Sequence, residues 1–175
     1  YTPIYQSRRV AVLGGGNVAM DSARMALRLG AEEVHILYRR TREEMPIFAH
    51  GIEQALQEGV KILYLSSPLK ILTQDGRVTG LSCQRMELGA PDASGRRRPI
   101  PIPDSNFRIE VEAVITAIGQ QTDLCPFPEP PVRTSPWCTI ITAPGNTQTS
   151  TADIFAGGDA VTGPATVVEA IAAGK

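Results

Sequence analysis

The fold is decided by residues 9–30, RVAVLGGGNVAMDSARMALRLG. Residues 9–13 are mostly apolar and β-branched, which predicts a strand buried on both faces. Residues 17–29 carry small or apolar side chains at the spacing of a helix that packs on a sheet, and Gly30 is typical of a helix C-terminus. The next segment, EVHILY at 33–38, predicts a second strand. Together these segments predict a right-handed strand–turn–helix–strand unit with parallel strands.

The turn at residues 14–19, GGGNVA, has the pattern G-x-G-x-x-A. Gly14 permits a tight turn, Gly16 lets a pyrophosphate approach the backbone, and Ala19 lets the helix lie close to the strand. The helix N-terminus would bind the phosphates through its N–H groups and dipole. A glycine turn that only connects strand and helix is the alternative. The candidate cofactor-binding residues here are Gly14, Gly15, Gly16, Asn17, Val18 and Ala19.

Two arginines end the second predicted strand and indicate which nucleotide the turn binds. An NAD site places Asp or Glu about 20 residues after the glycines, to bind the ribose 2'-hydroxyl. This sequence has Arg39 and Arg40 there instead, and two guanidinium groups favour a 2'-phosphate. We therefore predict NADP(H) as the cofactor, with a solvated basic strand end as the alternative.

The rest of the chain predicts a change of architecture. A helix is predicted over 47–59 and a strand over 60–66, after which the segments LKILT, VTGLSCQRMEL and FRIEVEAVITAIG alternate around turn residues as in an antiparallel meander. Residues 89–105 are rich in Gly, Pro and charge and predict an exposed loop. Five prolines among residues 121–136 indicate a boundary. We therefore predict domains at 7–122 and 123–175.

Composition limits the function classes. The chain of 175 residues has 17 basic and 18 acidic residues, a formal charge of -1, which gives no support to nucleic-acid or membrane-surface binding. No apolar run approaches the roughly 18 residues of a membrane span. The three cysteines form no CxxC pair and no metal-binding spacing. A cytoplasmic protein without a metal site is expected.

A second glycine turn lies near the end of the chain. Residues 154–161, IFAGGDAV, predict an apolar strand followed by Gly158 and Asp159. A carboxylate at the carboxyl end of a strand can accept a hydrogen bond from a sugar hydroxyl. Pro164 would open a helix whose N–H groups at Thr166 and Val167 face a ligand. A purely structural turn is the alternative.

Several longer blocks of the sequence resemble one family. The blocks are GGGNVAMDSAR, YRRTREEMP, ELGAPDASGRRRPIP, VITAIGQ and IFAGGDAVTGPATVVEAIAAGK. They resemble the small subunit of glutamate synthase and the NADPH-oxidising part of dihydropyrimidine dehydrogenase, which are flavin-dependent pyridine-nucleotide oxidoreductases. The resemblance runs from about residue 8 to residue 175.

The resemblance implies that an NADPH-binding domain is inserted into an FAD-binding domain. It places the pyrophosphate at Gly14 and Gly16 and the 2'-phosphate at Arg39 and Arg40. Three further pairs of residues follow from it: Gly119 and Gln120 close over the nucleotide, Gly158 and Asp159 bind the FAD ribityl chain, and Thr166 and Val167 lie beside the flavin.

The sequence also departs from that family. No glycine loop for the FAD diphosphate precedes Tyr1, and the cysteine-rich iron–sulfur region is absent. The expected fold is therefore α/β: a Rossmann-like parallel sheet with an antiparallel meander, plus a partial segment of an FAD-binding domain. The missing FAD-domain half and an iron–sulfur domain or large subunit are the expected partners.

The expected function is hydride transfer from NADPH to FAD, with electrons passed on to iron–sulfur centres or a partner subunit. No catalytic side chain is expected, because the cofactors carry this chemistry. A nucleotide-binding sensor or interaction module without turnover is the alternative.

Overall fold

A computed structural model of the protein describes residues 7–47, 49–92, 95–123 and 131–175. The chain forms two compact units, residues 1–118 and 119–175. Residues 124–130 of the predicted proline-rich boundary, with Cys125 among them, lie outside the described residues. Within the described part of the chain, no helix is long and apolar enough to cross a membrane.

The first unit contains seven strands and two α-helices among its described residues. In chain order they are β1 (Arg9–Leu13), α1 (Asn17–Arg28), β2 (Glu33–Leu37), α2 (Ala49–Gln57), β3 (Lys61–Leu63), β4 (Ser66–Gln74), β5 (Arg77–Pro91), β6 (Arg97–Ile109) and β7 (Ala113–Thr116). A short 3-10 helix spans Arg42–Glu44.

Four of these strands form a parallel sheet in the order β3-β2-β1-β7. The predicted unit of strand, helix and strand at residues 9–38 is confirmed, since β1 pairs in parallel with β2 and α1 connects them. The parallel strands end at one edge of this sheet, so the residues that follow β1 and β2 are brought together there.

The other three strands form an antiparallel sheet in the order β4-β5-β6. The prediction of a loop over residues 89–105 is wrong, because β5 runs to Pro91 and β6 begins at Arg97. Leu88 pairs with Pro99, and Met86 with Pro101. Prolines are tolerated there because β6 lies at the edge of its sheet, where one side of the strand needs no N–H donor.

The last segment of the predicted meander is also corrected. Residues 107–119 do not form one strand, since β6 ends at Ile109 and β7 pairs in parallel with β1. The sequence carries a signal for this division. Residues 113–118, AVITAI, are almost continuously apolar, as in a strand covered on both faces, rather than alternating.

The two faces of the parallel sheet bury two apolar clusters. Val10 and Val12 of β1 belong to the cluster that includes Met20 of α1 and Ile52 of α2. On the opposite face, the neighbouring β1 residues belong to a cluster that includes residues of the antiparallel sheet. Successive residues of a strand point to opposite faces, so β1 contributes to both clusters. The strand that leads into the glycine turn is therefore packed on both of its faces.

The second unit is built mainly from turns and isolated bridges. Its helices are α3 (Asp159–Thr162) and α4 (Val167–Ala173). The predicted strand before Gly157 is reduced to a bridge between Gln148 and Phe155, and α4 begins at Val167 rather than at Pro164. Every buried hydrophobic residue that the structure describes lies in the first unit. The second unit therefore presents apolar residues such as Trp137, which is 80 % exposed.

Candidate nucleotide-binding site

Gly14 makes the first turn after β1 and lies in a crowded place. Its φ is +135°, and a Cβ atom added to it would lie 2.2 Å from the carbonyl oxygen of Ala117. The Gly14 N–H group donates to the Leu37 carbonyl at 3.1 Å, and the Ala117 N–H group donates to the Leu13 carbonyl at 2.8 Å. Gly14 thus brings the ends of β1, β2 and β7 together, which no side chain would permit.

A side chain at position 15 is excluded by a different neighbour, Tyr38. A Cβ atom there would lie 2.5 Å from the ring of Tyr38, which is buried and whose hydroxyl donates to the Glu44 carbonyl at 2.6 Å. The pattern G-x-G-x-x-A leaves the second position open, so the sequence did not reveal this constraint.

Gly16 is the open position of the turn. It is the N-cap residue of α1, with φ -94° and ψ -175°, and no side chain caps the helix. A Cβ atom at Gly16 would meet nothing within 4 Å. The first turn of α1 contains no acidic residue. The first N–H groups of a helix have no intrahelical acceptor, so this end of α1 can receive an anion.

The three residues after Gly16 differ in their exposure to solvent. Asn17 and Val18 are exposed, whereas Ala19 is fully buried in the cluster under the sheet. The Ala19 N–H group donates to the Gly16 carbonyl at 3.0 Å. The small side chain of Ala19 therefore allows the close approach of α1 to the sheet that the sequence predicts.

The two arginines after β2 have different environments. Arg39 is exposed, and in the described part of the chain its guanidinium makes no hydrogen bond or ion pair. Arg40 is only 5 % exposed; its Nη2 atom donates to Asp92 Oδ2 at 2.8 Å and its Nε atom donates to the Arg97 carbonyl at 2.7 Å. The structure therefore separates the two residues that the sequence grouped together.

A capping box follows the arginines. The Thr41 hydroxyl contacts the carboxylates of Glu43 and Glu44, and the Thr41 N–H group donates to Glu44 at 3.1 Å. The hydrogen bond from the Thr41 hydroxyl lowers the pKa of Glu43. The spacing T-x-x-E of a capping box is visible at residues 41–44 of the sequence.

Gly119 and Gln120, which are both exposed, begin the second unit. Gly119 has φ +100°, and a Cβ atom there would meet nothing within 4 Å. The preceding residue, Ile118, is 78 % exposed. The structure thus leaves this segment open to solvent, and its predicted closure over the nucleotide stays a prediction.

The glycine turn of the second unit is ordered by local contacts. Gly158 has φ +59°, and a Cβ atom there would lie 3.1 Å from Cβ of Ala170 in α4. The Asp159 carboxylate accepts a hydrogen bond from the Ala165 N–H group at 3.2 Å. A cavity of about 1250 Å³ adjoins this turn and is lined by Asn146, Thr147, Gly157, Asp159, Thr166 and Gly174, among others.

The start of α4 differs from what the sequence predicts. The Thr166 N–H group donates to Glu169 Oε2 at 2.9 Å, and the Thr166 hydroxyl accepts from the Glu169 N–H group. This capping box lowers the pKa of Glu169 through its hydrogen bonds. The Thr166 N–H group, which the sequence predicts to face a ligand, is bound by Glu169 in this structure, whereas Val167 is 76 % exposed. A place for these two residues beside a flavin stays a prediction.

The described residues contain no group of three or more His, Cys, Asp or Glu side chains that could hold a metal ion. Cys83 is buried, and burial raises the pKa of its thiol to about 11. Cys138 is a free thiol at the surface.

The glycine turn on a parallel sheet is the arrangement of a dinucleotide-binding protein. The chain matches the pyridine nucleotide-disulphide oxidoreductase family over residues 2–174 and belongs to that family. This confirms the predicted resemblance to pyridine-nucleotide oxidoreductases and agrees with a pyridine nucleotide as cofactor. The family is named for disulfides as well as for pyridine nucleotides, and the residues of this sequence include no CxxC pair.

Two curated relatives extend over almost the whole chain. The beta subunit of the NADP(+)-dependent formate dehydrogenase of Moorella thermoacetica is 47 % identical over 99 % of this chain and 24 % of its own length. The small chain of the NADPH glutamate synthase of Azospirillum brasilense is 38 % identical over 96 % of this chain and 35 % of its own length. The resemblance to glutamate synthase small subunits is confirmed. The chain spans about a quarter to a third of these relatives.

Solved structures agree on the fold. Mycobacterium tuberculosis FprA in complex with NADPH superposes with a TM-score of 0.73, at 18 % identity, over 93 % of this chain and 49 % of FprA. The predicted α/β class, with a parallel and an antiparallel sheet, is confirmed.

Proposed function

We propose that residues 7–122 form an NADPH-binding domain of a flavoprotein oxidoreductase in which NADPH supplies a hydride and FAD accepts it. The observation that carries this proposal is the uncapped N-terminus of α1, where Gly16 leaves space for a diphosphate. Two relatives are named for NADP(+) or NADPH, which supports the choice of nucleotide.

The residues of the turn would bind and orient the nucleotide rather than take part in bond making. The N–H groups at Gly16, Asn17 and Val18 would hold the diphosphate, and Gly14, Gly15 and Ala19 would keep the turn in the shape that presents those groups. Hydride transfer requires no acid or base from the protein. We therefore assign no catalytic side chain.

The 2'-phosphate would be bound by Arg39. Its guanidinium is exposed, and Arg39 lies two residues after the end of β2, the strand end where the adenosine ribose binds in this class of fold. The sequence also predicts this role for Arg40. The structure supports an indirect role for that residue, because Asp92 and the Arg97 carbonyl already bind its guanidinium.

Residues 123–175 would be the return segment of an FAD-binding domain. Gly158 and Asp159 would bind the ribityl chain, and Val167, with Thr166 as its cap, would lie beside the flavin. Gly119 and Gln120 would close over the nucleotide. The cavity beside Asp159 supports this assignment, as does the exposed apolar surface of the second unit.

The remaining FAD-domain half, and an iron–sulfur domain or large subunit, are the proposed partners. The relatives support them, since this chain covers only 24 % and 35 % of two proteins that are named as a subunit and a small chain. We propose a cytoplasmic location on the basis of composition alone. The alternative of a sensor without turnover is disfavoured by the oxidoreductase family to which the chain belongs.

Replacing Arg39 with Ala is expected to weaken NADPH binding about 10- to 100-fold and NADH binding less than about twofold, because a hydrogen bond to a charged group contributes roughly 1.5–3 kcal/mol. Calorimetric titration of the chain with each nucleotide measures both affinities. Arg133→Ala removes an exposed arginine of the second unit and is the matched control. Equal weakening of NADPH and NADH would show that Arg39 does not bind the 2'-phosphate.

Replacing Asp159 with Ala is expected to leave NADPH affinity within about twofold of the original value, because Asp159 belongs to the second unit and its carboxylate binds the Ala165 N–H group. The same titration measures it, and far-UV circular dichroism checks that the chain is folded. A large loss of NADPH affinity in a folded variant would contradict the division into an NADPH site and an FAD site.

A further inference from the structure

The ion pair between Arg40 and Asp92 joins two segments that are far apart in the chain. Arg40 lies shortly after β2, whereas Asp92 directly follows β5. The Arg40 guanidinium donates to Asp92 Oδ2 at 2.8 Å and to the Arg97 carbonyl at 2.7 Å. It therefore ties the turn end of the β5–β6 hairpin to the carboxyl end of β2, where Arg39 lies.

Arg40 is too enclosed to bind a nucleotide phosphate directly. Its side chain is 5 % exposed, and its charge is balanced by Asp92, as a buried charge requires. The backbone around it is also fixed, since the Arg40 carbonyl accepts from the Leu65 N–H group at 3.1 Å. This residue acts on the structure around the site.

The end of the hairpin that Arg40 holds is closed by its own hydrogen bonds. The Asp92 N–H group donates to the Arg96 carbonyl at 2.8 Å, and the Gly95 N–H group donates to the Asp92 carbonyl at 2.9 Å. The Arg97 guanidinium donates to the Leu88 carbonyl at 2.8 Å. Because these bonds fix Asp92 and Arg97 relative to each other, the contact with Arg40 also places the first residues of β6.

Arg98 comes directly after the carbonyl group that Arg40 binds. Arg98 is exposed, and in the described part of the chain its guanidinium, like that of Arg39, has no hydrogen bond or ion pair. Arg40 and Arg97 make this contact. Arg39 precedes Arg40 in the chain, and Arg98 follows Arg97. Two guanidinium groups without a carboxylate partner favour a dianionic phosphate as their common ligand.

We propose that the β5–β6 hairpin is part of the nucleotide-specificity machinery: Arg40, held by Asp92, is a positioning residue, and Arg98 binds the 2'-phosphate together with Arg39. This inference rests on the proposed NADPH site. It assigns a specificity role to a hairpin that lies more than 50 residues away in the chain from the strand end that it serves.

The test uses adenosine 2',5'-bisphosphate and adenosine 5'-monophosphate as probes, because they differ only in the 2'-phosphate. Arg98→Ala is expected to weaken binding of the bisphosphate about tenfold and to leave the monophosphate within about twofold. Arg98→Lys keeps the charge and should recover part of the loss. Arg77→Ala removes an exposed arginine at the opposite end of β5 and should change neither affinity.

Asp92→Asn tests the positioning role. This substitution is expected to weaken binding of the bisphosphate but not of the monophosphate. In the double variant it should add little to the loss of affinity caused by Arg98→Ala, because both substitutions act through the same placement of the hairpin. Retained binding of the monophosphate shows that the variant is folded.

Two results would overturn the inference while leaving the proposed NADPH site intact. The first is unchanged bisphosphate binding in Arg98→Ala. The second is tighter binding in Asp92→Asn, which would make Arg40 a direct phosphate ligand that Asp92 competes for. If the unmodified chain bound neither of the two probes nor NADPH, the proposed function would be overturned, and this inference with it.

Discussion

Replacing Gly16 with Asp is expected to abolish NADPH binding, with a loss of more than about 100-fold, while leaving the chain as stable as before or slightly more stable. A carboxylate at this position would lie where the diphosphate binds. At an effective dielectric constant of 20, two like charges about 4 Å apart repel by about 4 kcal/mol.

The fold should tolerate this change because of the local geometry. Gly16 has an extended backbone conformation that any residue can adopt, and no atom lies within 4 Å of an added Cβ. Aspartate is a preferred N-cap residue, and a negative charge at a helix N-terminus is favourable. The binding loss and the unchanged stability together would show that Gly16 serves the ligand and not the fold.

Gly16→Asn is the matched control, because it has the same size and can cap the helix but carries no charge. Gly16→Asn should weaken NADPH binding less than Gly16→Asp does. The difference between the two losses of affinity measures the electrostatic repulsion between the carboxylate and the diphosphate. Calorimetric titration gives the affinities, and thermal unfolding gives the stability. Undiminished NADPH binding by Gly16→Asp would mean that the diphosphate does not bind at α1.

Local patterns were sufficient to predict β1, α1 and β2, although not the place of β7 beside β1 in the same parallel sheet. Residues 9–30 form buried β1, the glycine turn and amphipathic α1 in succession. The sequence pattern of each segment agrees with that of the next, so the predicted and observed structures coincide there. The turn end of the hairpin was predicted wrongly for a physical reason. Prolines and arginines are typical of loops, but an edge strand accepts them because its outer side needs no hydrogen-bond donors.

The environment of Arg40 could not be predicted from its neighbours in the sequence. Its partner Asp92 is 52 residues away, and the contact depends on an antiparallel hairpin whose turn end has the composition of a loop. The sequence predicts an NADP(H) site rather than an NAD site, since two arginines stand where an NAD site would have an acid. Which arginine faces a ligand depends on long-range packing, and only the structure separates Arg39 from Arg40.

Replacing Gly14 with Ala is expected to destabilise the first unit by about 2–6 kcal/mol. A residue with a side chain is strained at φ +135°, which costs of order 1–3 kcal/mol. The added Cβ would also lie 2.2 Å from the Ala117 carbonyl oxygen, and overpacking of this kind costs typically 1–3 kcal/mol. The two costs add because relieving the contact requires β1 and β7 to separate.

Gly30→Ala is the control that separates these two costs. Gly30, after the other end of α1, also has a positive φ of +101°, but a Cβ atom there would meet nothing within 4 Å. Its replacement should therefore cost about 1–3 kcal/mol, from backbone strain alone. Urea unfolding followed by far-UV circular dichroism measures both variants in the same chain. Equal destabilisation by the two substitutions would show that contact with Ala117 contributes nothing, and that conformational freedom alone requires glycine at position 14.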